Sequence, residues 1–412
     1  MKRVLMVDDD QFVLRLYQEA LRREGFEVTT AHDGLAAMKA LRANKPDVVV
    51  LDLMMPTFSG VDVLKFIRSQ PDLAALPVIV LSNSYMDDLA QGAATGGVQK
   101  ALLKVSCSPS VLLGVIRELR DGEGAGVDTS RLLAVPKVTS APLPKSTPTV
   151  VEDPGSPNRP VAPEPLVTLP RADQELRTKA RGELLENASA TLATLQQLGE
   201  ALNKATREPE QQMRLQDLYR KVHFLTAAAG LAECPELAQM SSVFEALLFA
   251  LTGKPRFFTM SVRQTISQVV EFFGFLLERA RQGQEAELLP ACVLVVDDEP
   301  VSSRLAVSAL QAARLEAHSI QDPLKALEAM RQALYDLLLL DIEMPGMDGF
   351  ELCRKLRALP GYDKVPVIYV TLHADFKSRS KSIRSGGNDL IAKPVFPMEL
   401  ATKAVMHLLR AR

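Results

Sequence analysis

Five polar side chains close apolar runs near the start of the chain, and their types suit phosphoryl chemistry. Asp8 and Asp9 follow "RVLMV", Asp52 ends "DVVVLD", Ser82 ends "PVIVLS" and Lys104 ends "KALLK". Three carboxylates gathered in one place repel and raise one another's pKa unless a cation sits among them. A hard divalent ion with oxygen ligands, Mg2+ above all, resolves that conflict. A lysine and a hydroxyl beside it suit the oxygens of a phosphoryl group carried on one aspartate. The set then returns. Asp8–Asp9 recurs as Asp297–Asp298, Asp52 as Asp341, Met55–Pro56 as Met344–Pro345 and Gly60 as Gly349. Pro77 recurs as Pro366, Ser82 as Thr371 and Lys104 as Lys393, and every pair is separated by 289 positions. Asp10 or Asp33 taken singly reads as a helix cap. Polar landmarks repeated in one register read as two copies of one domain.

The elements that must position them are strands alternating with helices. Over residues 1–120 the aliphatic runs "RVLMV", "FEVTTA", "DVVVL", "PVIVL" and "KALLK" are separated by helical patterns such as "FVLRLYQEALRRE" and "GLAAMKALRAN". That order predicts a parallel sheet covered on both faces, and the unbroken "VVVL" and "VIVL" suit strands buried on two sides. Ligands collect beyond the carboxyl ends of such strands, where these polar residues fall. Residues 290–412 repeat the pattern with "CVLVVDD", "LLLLDIEMP", "PVIYVT" and "DLIAKP". Residues 121–170 are rich in Pro, Ser and Thr without periodicity and read as a flexible tether, about 40 Å end to end.

Residues 171–289 carry helical periodicity and predict an all-α antiparallel bundle: "ADQELRTKARGELLENASATLATLQQLGEALNKA" as one helix or two, then helices beginning near Pro209, Pro235 and Ser261. On the helix beginning near Pro209, Leu215, Leu218, Val222, Leu225 and Ala229 step by three and four and mark the buried seam. At about 100° per residue His223 lies roughly 130° from the centre of that seam, so it is expected on the outward face. Its neighbours Ala227 and Gly230 are small and leave room for another surface to approach the imidazole.

Composition narrows the class. The formal net charge of −2 gives no basic field for nucleic acid or a membrane surface. The four cysteines form no C-x-x-C pair and read as reduced thiols of a cytoplasmic protein, not as a zinc site or a disulfide frame. "MKRVLMVDDD" reaches acidic residues too soon for a signal peptide, and no apolar run is long enough to span a bilayer. No Gly-rich nucleotide loop and no DNA-reading segment is visible.

The two outer segments resemble response-regulator receiver (CheY-like) domains. The motifs that carry this are "VLMVDDD", "VVVLDLMMPTFSG", "VIVLS" and "LLK" in the first, and "VLVVDDE", "LLLLDIEMPGMDG", "VIYVT" and "IAKP" in the second. The resemblance implies a flavodoxin-like (βα)5 fold with strand order 2-1-3-4-5 in each. It implies phospho-acceptors at Asp52 and Asp341, and Mg2+ held by Asp8, Asp9, Asp52 and the Met54 carbonyl, and by Asp297, Asp298, Asp341 and the Glu343 carbonyl. Lys104 and Lys393 would contact the phosphoryl group, and Ser82 and Thr371 would be the switch hydroxyls. Val105 replaces the usual proline after the lysine, while Pro394 keeps it. Ala101 and Leu390 stand where the family often has a switching aromatic, and Leu372 stands where it usually has a small residue. The middle helix resembles the histidine-phosphotransfer (HPt) motif H-x-[LI]-K-G-x-x-G through His223, Leu225 and Gly230, with Leu237 and Glu245 at common downstream spacings. Thr226 and Ala227 replace its lysine and first glycine.

The expected organisation is receiver 1 (1–120), tether (121–170), HPt-like bundle (171–289) and receiver 2 (290–412). It would accept phosphate from a sensor histidine kinase or other phosphohistidine donor, and His223 would relay it between receivers. Output would pass to a protein partner, without nucleic acid, membrane or enzymatic turnover. Two other readings stand beside it: a non-catalytic scaffold whose bundle docks or dimerises, and a metal-dependent phosphatase.

Overall fold

The computed structural model describes residues 2–53, 55, 58–82, 98–103, 107, 109–121, 171–285, 290–372, 382 and 384–412. Nearly all of the expected tether lies outside them, as do Met54, Lys104, Val105 and the side chain of Ser82.

In the first unit, β1 (Arg3–Val7), α1 (Gln11–Arg23), β2 (Glu27–Ala31), α2 (Gly34–Ala43), β3 (Val48–Asp52), α3 (Gly60–Ser69), β4 (Val78–Ser82), β5 (Lys100–Leu103) and α4 (Pro109–Asp121) follow one another. The strands are parallel in the order β2-β1-β3-β4-β5. Val48–Leu51 and Val78–Leu81 are fully buried, which is why those runs carry no alternation. Asp10 and Asp33 are caps, accepting from the Val13 and Ala36 amides. Gly60 has a different cause. A Cβ there would lie 2.1 Å from the Asp52 carbonyl oxygen, because the start of α3 is pressed against the end of β3.

The bundle comprises α5 (Arg171–Glu186), α6 (Ala188–Lys204), α7 (Glu208–Leu231), α8 (Pro235–Gly253) and α9 (Met260–Gln282). A turn at Asn187 makes two helices of the first long pattern, and Pro209 and Pro235 stand in the first turns of α7 and α8. The expected seam of α7 is buried throughout.

The second unit repeats the first: β6 (Cys292–Val296), α10 (Pro300–Ala312), β7 (Glu316–Ile320), α11 (Pro323–Gln332), β8 (Leu337–Asp341), α12 (Gly349–Leu356), β9 (Val367–Thr371), β10 (Asp389–Ala392) and α13 (Pro397–Ala411). Its parallel sheet has the order β7-β6-β8-β9-β10, the same 2-1-3-4-5 pattern. At Gly349 a Cβ would again lie 2.2 Å from the position-equivalent carbonyl oxygen, that of Asp341.

The bundle meets the two units differently. One continuous hydrophobic cluster runs from the bundle through Phe244, Leu247 and Phe273 into Leu400, Val405, Leu409 and Leu339 of the second unit. Phe257 stacks on Phe396 at 4.6 Å between ring centres, an arrangement worth about 0.5–1.5 kcal/mol beyond area burial. Ser261 and Thr265 donate hydrogen bonds to Glu399, and Lys403 reaches both Gln268 and Asp389. Bundle and second unit are thus packed as one body. The first unit instead touches one stripe of the bundle. Tyr219 and Phe249 pack against the cluster containing Leu53, Met55 and Val63, and Ala227 joins the cluster containing Val13, Leu14 and Leu112.

Candidate functional site

In the first unit, β1 delivers Asp8 and Asp9 and β3 delivers Asp52 to one end of the sheet, as the register of Val4–Val7 on Val48–Leu51 requires. Asp8 is fully buried and Asp52 is 1% exposed. Asp8 accepts the Asp10 amide at 3.0 Å, which fixes the turn after β1. The three carboxylates are joined by a fourth group, His223. One oxygen or nitrogen from each of Asp8, Asp9, Asp52 and His223 lies within 4.8 Å of all the others.

The imidazole is therefore not on an open surface. His223 is 3% exposed, against the outward position expected from its angle to the seam. The angle locates the seam of the bundle but knows nothing of the first unit, which covers that face. Nε2 stands 3.5 Å from Asp52 Oδ2 and 3.5 Å from Asp9 Oδ1. Nδ1 lies 2.5 Å from Glu245 Oε1 on α8, a residue 1% exposed. An ionised carboxylate can only accept, so in that pair Nδ1 carries the hydrogen and a neutral ring turns its Nε2 lone pair toward Asp52. Thr226, at the position of the missing lysine, spends its hydroxyl on the Val222 carbonyl at 3.0 Å. Ala227 takes its place in the first unit's core cluster, and its small side chain permits that approach.

Tyr219 has no place in the reading of the sequence given above. It precedes His223 by one helical turn and stacks on the imidazole at 5.8 Å with planes 24° apart. Its spacing of four from the histidine was the available signal. An open groove of about 280 Å³ leads to His223 between Asp9, Asp10, Gln11, Arg15, Arg220 and Phe224.

In the second unit Asp297, Asp298 and Asp341 form the matching cluster, with no bundle residue in it among the described residues. Asp298 is exposed, whereas its counterpart Asp9 keeps only 13% of its side chain in solvent beneath α7. Lys393 Nζ is 2.7 Å from Asp341 Oδ2 and 3.3 Å from Asp297 Oδ2. Burial, and then the Asp341 charge, push Asp297 up, while the Glu299 amide and Lys393 pull it down. Burial works against the Lys393 charge, but the bond to Asp341 and both carboxylates hold its pKa above the ordinary value. The Lys393–Pro394 peptide is cis, Thr371 is buried at the end of β9, and the Glu343 amide donates to Asp341. Leu390 is buried in the core, and Leu372, 63% exposed, stands at the mouth of a groove with Asp297, Lys393 and Pro394.

The family pattern described as "Response regulator receiver domain" matches residues 4–117 and 293–405, together more than half of the chain. The chain is 44% identical over 95 residues to the probable transcriptional regulatory protein TcrX of Mycobacterium tuberculosis, covering 23% of this chain and 40% of that one. It is 35% identical over 122 residues to the cyclic di-GMP phosphodiesterase response regulator RpfG of Xanthomonas campestris, covering 29% and 32%. The matches thus span well under half the length of these relatives. Among solved structures, the receiver domain of the sensor histidine kinase PA1611 from Pseudomonas aeruginosa, described with magnesium in its active-site cleft, is 26% identical, with a TM-score of 0.28 and coverage of 30% of this chain and 97% of that one. No helix among the described residues is long and apolar enough to cross a membrane. The chain belongs to the response-regulator receiver family, carries two such domains, and is a component of two-component signalling.

Proposed function

We propose that this chain is an intramolecular phosphorelay in which Asp52 of receiver 1 and His223 of the bundle exchange a phosphoryl group. The observation that carries this reading is the approach of His223 Nε2 to Asp52 Oδ2 at 3.5 Å inside a ring of carboxylates, with Nδ1 tied to Glu245. A histidine that merely filled a gap would have no need of an acceptor on one nitrogen and a receiver aspartate at the other.

The residues fit a divalent cation in each receiver. Asp8, Asp9 and Asp52, like Asp297, Asp298 and Asp341, offer hard oxygen donors within 4.8 Å of one another. The carbonyls of Met54 and Glu343 would complete each set, and Mg2+ when bound supplies charge neutralisation for the phosphoryl oxygens. The chain's own residues do the rest. Asp52 offers a carboxylate oxygen to phosphorus, and Glu245 holds the Nδ1 proton and aims Nε2. Lys104, Ser82, Lys393 and Thr371 would contact the phosphoryl group in their respective receivers.

Receiver 2 serves as the second acceptor, at Asp341, loaded by a donor from outside this body, since among the described residues its groove is lined by its own side chains. Leu372 in that mouth would slow exchange there. The long segment 121–170 acts as the tether that lets receiver 1 leave the bundle to meet a kinase, and a protein partner reads the output. The output activities in the relatives' names, transcriptional regulation or cyclic di-GMP phosphodiesterase activity, are properties of those proteins. The scaffold reading is favoured by one observation, the loss of the motif lysine at Thr226, whose hydroxyl faces its own helix.

A small phosphodonor with Mg2+, applied to the wild type and to Asp52→Asn, Asp341→Asn and His223→Ala, tests the proposal. Phosphate on nitrogen survives alkali and that on a carboxylate does not. Alkali-stable label that disappears in both Asp52→Asn and His223→Ala is the expected result. Label confined to the two aspartates in every variant would leave only the scaffold.

A further inference from the structure

Tyr219 sits in the same closed interface and nothing above gives its hydroxyl a task. Its ring lies flat on His223 and near Phe249, 6.1 Å between centres, and it packs against core clusters of both the bundle and receiver 1. Those contacts fix the ring from both sides. The hydroxyl oxygen at its tip is out of solvent and has no hydrogen-bond partner among the described residues. A buried O–H left unsatisfied costs roughly 1–3 kcal/mol, so a phenylalanine would pack here more favourably if packing were the only demand. The charges that bear on this hydroxyl are those of Glu245, Asp52, Asp9 and Asp8, after the larger effect of burial itself. These are the very groups that ring the space between Asp52 and His223. The ring stacks on the imidazole beside that group of carboxylates, and burial and their charges keep the proton on the hydroxyl.

We infer that the Tyr219 hydroxyl is a catalytic hydrogen-bond donor to the phosphoryl group in transit between Asp52 and His223. This rests on the relay reading above and supplies what the sequence lacks at Thr226, a donor for a phosphoryl oxygen. In the step from receiver to bundle, the bond between phosphorus and the Asp52 carboxylate oxygen breaks and one from phosphorus to Nε2 forms. The electron pair returns to the carboxylate. The Nδ1 proton stays shared with Glu245, and Tyr219 keeps its own proton throughout while its O–H is drawn to an equatorial oxygen. A neutral donor at that point adds no net charge to a site already holding four carboxylates. It also leaves the exchange reversible, since it favours neither end of the transfer.

Tyr219→Phe in the full chain keeps the ring and removes only the donor. Receiver 1 is labelled with a small phosphodonor and Mg2+, and the appearance of alkali-stable phosphohistidine is followed after mixing. The expected result is a transfer rate lowered about tenfold, with Asp52 labelling and the scattering profile of the chain unchanged. The denaturation midpoint should rise, because a buried unsatisfied group has gone. Transfer at the wild-type rate, or a slow rate explained by poor labelling of Asp52 or by an undocked receiver, overturns the assignment. Absence of phosphohistidine in the wild type itself would remove the relay and this inference together, a result distinct from a wild-type relay indifferent to the substitution.

Discussion

Glu245→Gln is the substitution that probes the relay most directly. The pair it alters is buried on both sides, with Glu245 1% and His223 3% exposed and 2.5 Å between Oε1 and Nδ1. A hydrogen bond to a charged group contributes about 1.5–3 kcal/mol, and charge assistance accounts for roughly half of that. Glutamine keeps an acceptor oxygen but loses the charge, so about 1–2 kcal/mol of orientation and electron push at Nε2 should vanish. At about 1.4 kcal/mol per decade this is a five- to thirtyfold slower transfer. Rapid-quench measurement of phosphate moving from Asp52 to His223 reads the change, with the alkali-stable fraction reporting the histidine. Labelling of Asp341 in the same chain is the internal control and should not move. If Glu245→Gln transfers at the wild-type rate while His223→Ala abolishes transfer, Glu245 is a packing residue and the geometric argument for an aimed Nε2 is wrong.

Three further outcomes follow from the same contacts. At 3.5 Å between Nε2 and Asp52 Oδ2 no phosphorus fits in line, because each reacting atom must stand about 3–3.5 Å from its partner before bonding. Loading receiver 1 with beryllofluoride and Mg2+ must therefore part α7 from Asp52, and His223 should pass from protected to reactive toward diethyl pyrocarbonate; a histidine equally protected in both states would refute this. Asp389→Asn leaves the Lys403 ammonium, 2% exposed, without its carboxylate and should destabilise the joined bundle and receiver 2 by about 3 kcal/mol, read as a lowered denaturant midpoint. Burial opposes the Asp389 charge, yet His407 and Lys403 hold its pKa well below the usual carboxylate value, so an unchanged midpoint would mean the pair is idle. The Asp47 carboxyl is lowered to about 2 by the Arg3 amide and then the Lys2 amide. Its folded value lies below the unfolded value of about 3.9, so its stabilisation is complete above about pH 4 and is lost as pH falls toward 2. The stability gap between wild type and Asp47→Asn should close over that window, and a gap independent of pH would argue against the amide bonds.

Much of the fold was legible because the special residues end apolar runs. The position of Asp52 at the end of "DVVVL" and of Asp8 after "RVLMV" announced a parallel sheet with chemistry at one edge, and the constant offset of 289 announced a second. Helix starts at Pro209 and Pro235 were likewise written in the chain, since a proline in the first turn gives up no hydrogen bond. What the sequence withheld was burial that comes from another domain. The periodicity of α7 orders Leu218, Val222 and Leu225 toward its own bundle, and it assigns His223 to the remaining face. Whether that face meets water or a receiver depends on docking, for which one helix's pattern holds no signal. Tyr219 was passed over for the same reason, because its hydroxyl acquires meaning only against Asp9 and Asp52.

The two receivers begin from the same carboxylates and are set apart by what approaches them. Receiver 2 gives its α13 face to the bundle, with Glu399, Thr402 and Lys403 all bonded across or along that contact, and its cleft stays open with Lys393 across Asp341 and Asp297. Receiver 1 gives the bundle its cleft instead, and Asp9 is covered where Asp298 is bare. A buried carboxylate cluster is costly unless something positive or proton-bearing faces it, and on α7 the proton-bearing group beside it is the Tyr219 hydroxyl. Phosphate at Asp52 brings more negative charge and more bulk to a site closed to 3.5 Å, so loading favours separation from the bundle and loss of the phosphate favours its return. A receiver released and recaptured in that way would report its own phosphorylation by position, whereas receiver 2, fused through a common core, has only the shape of its open cleft with which to report.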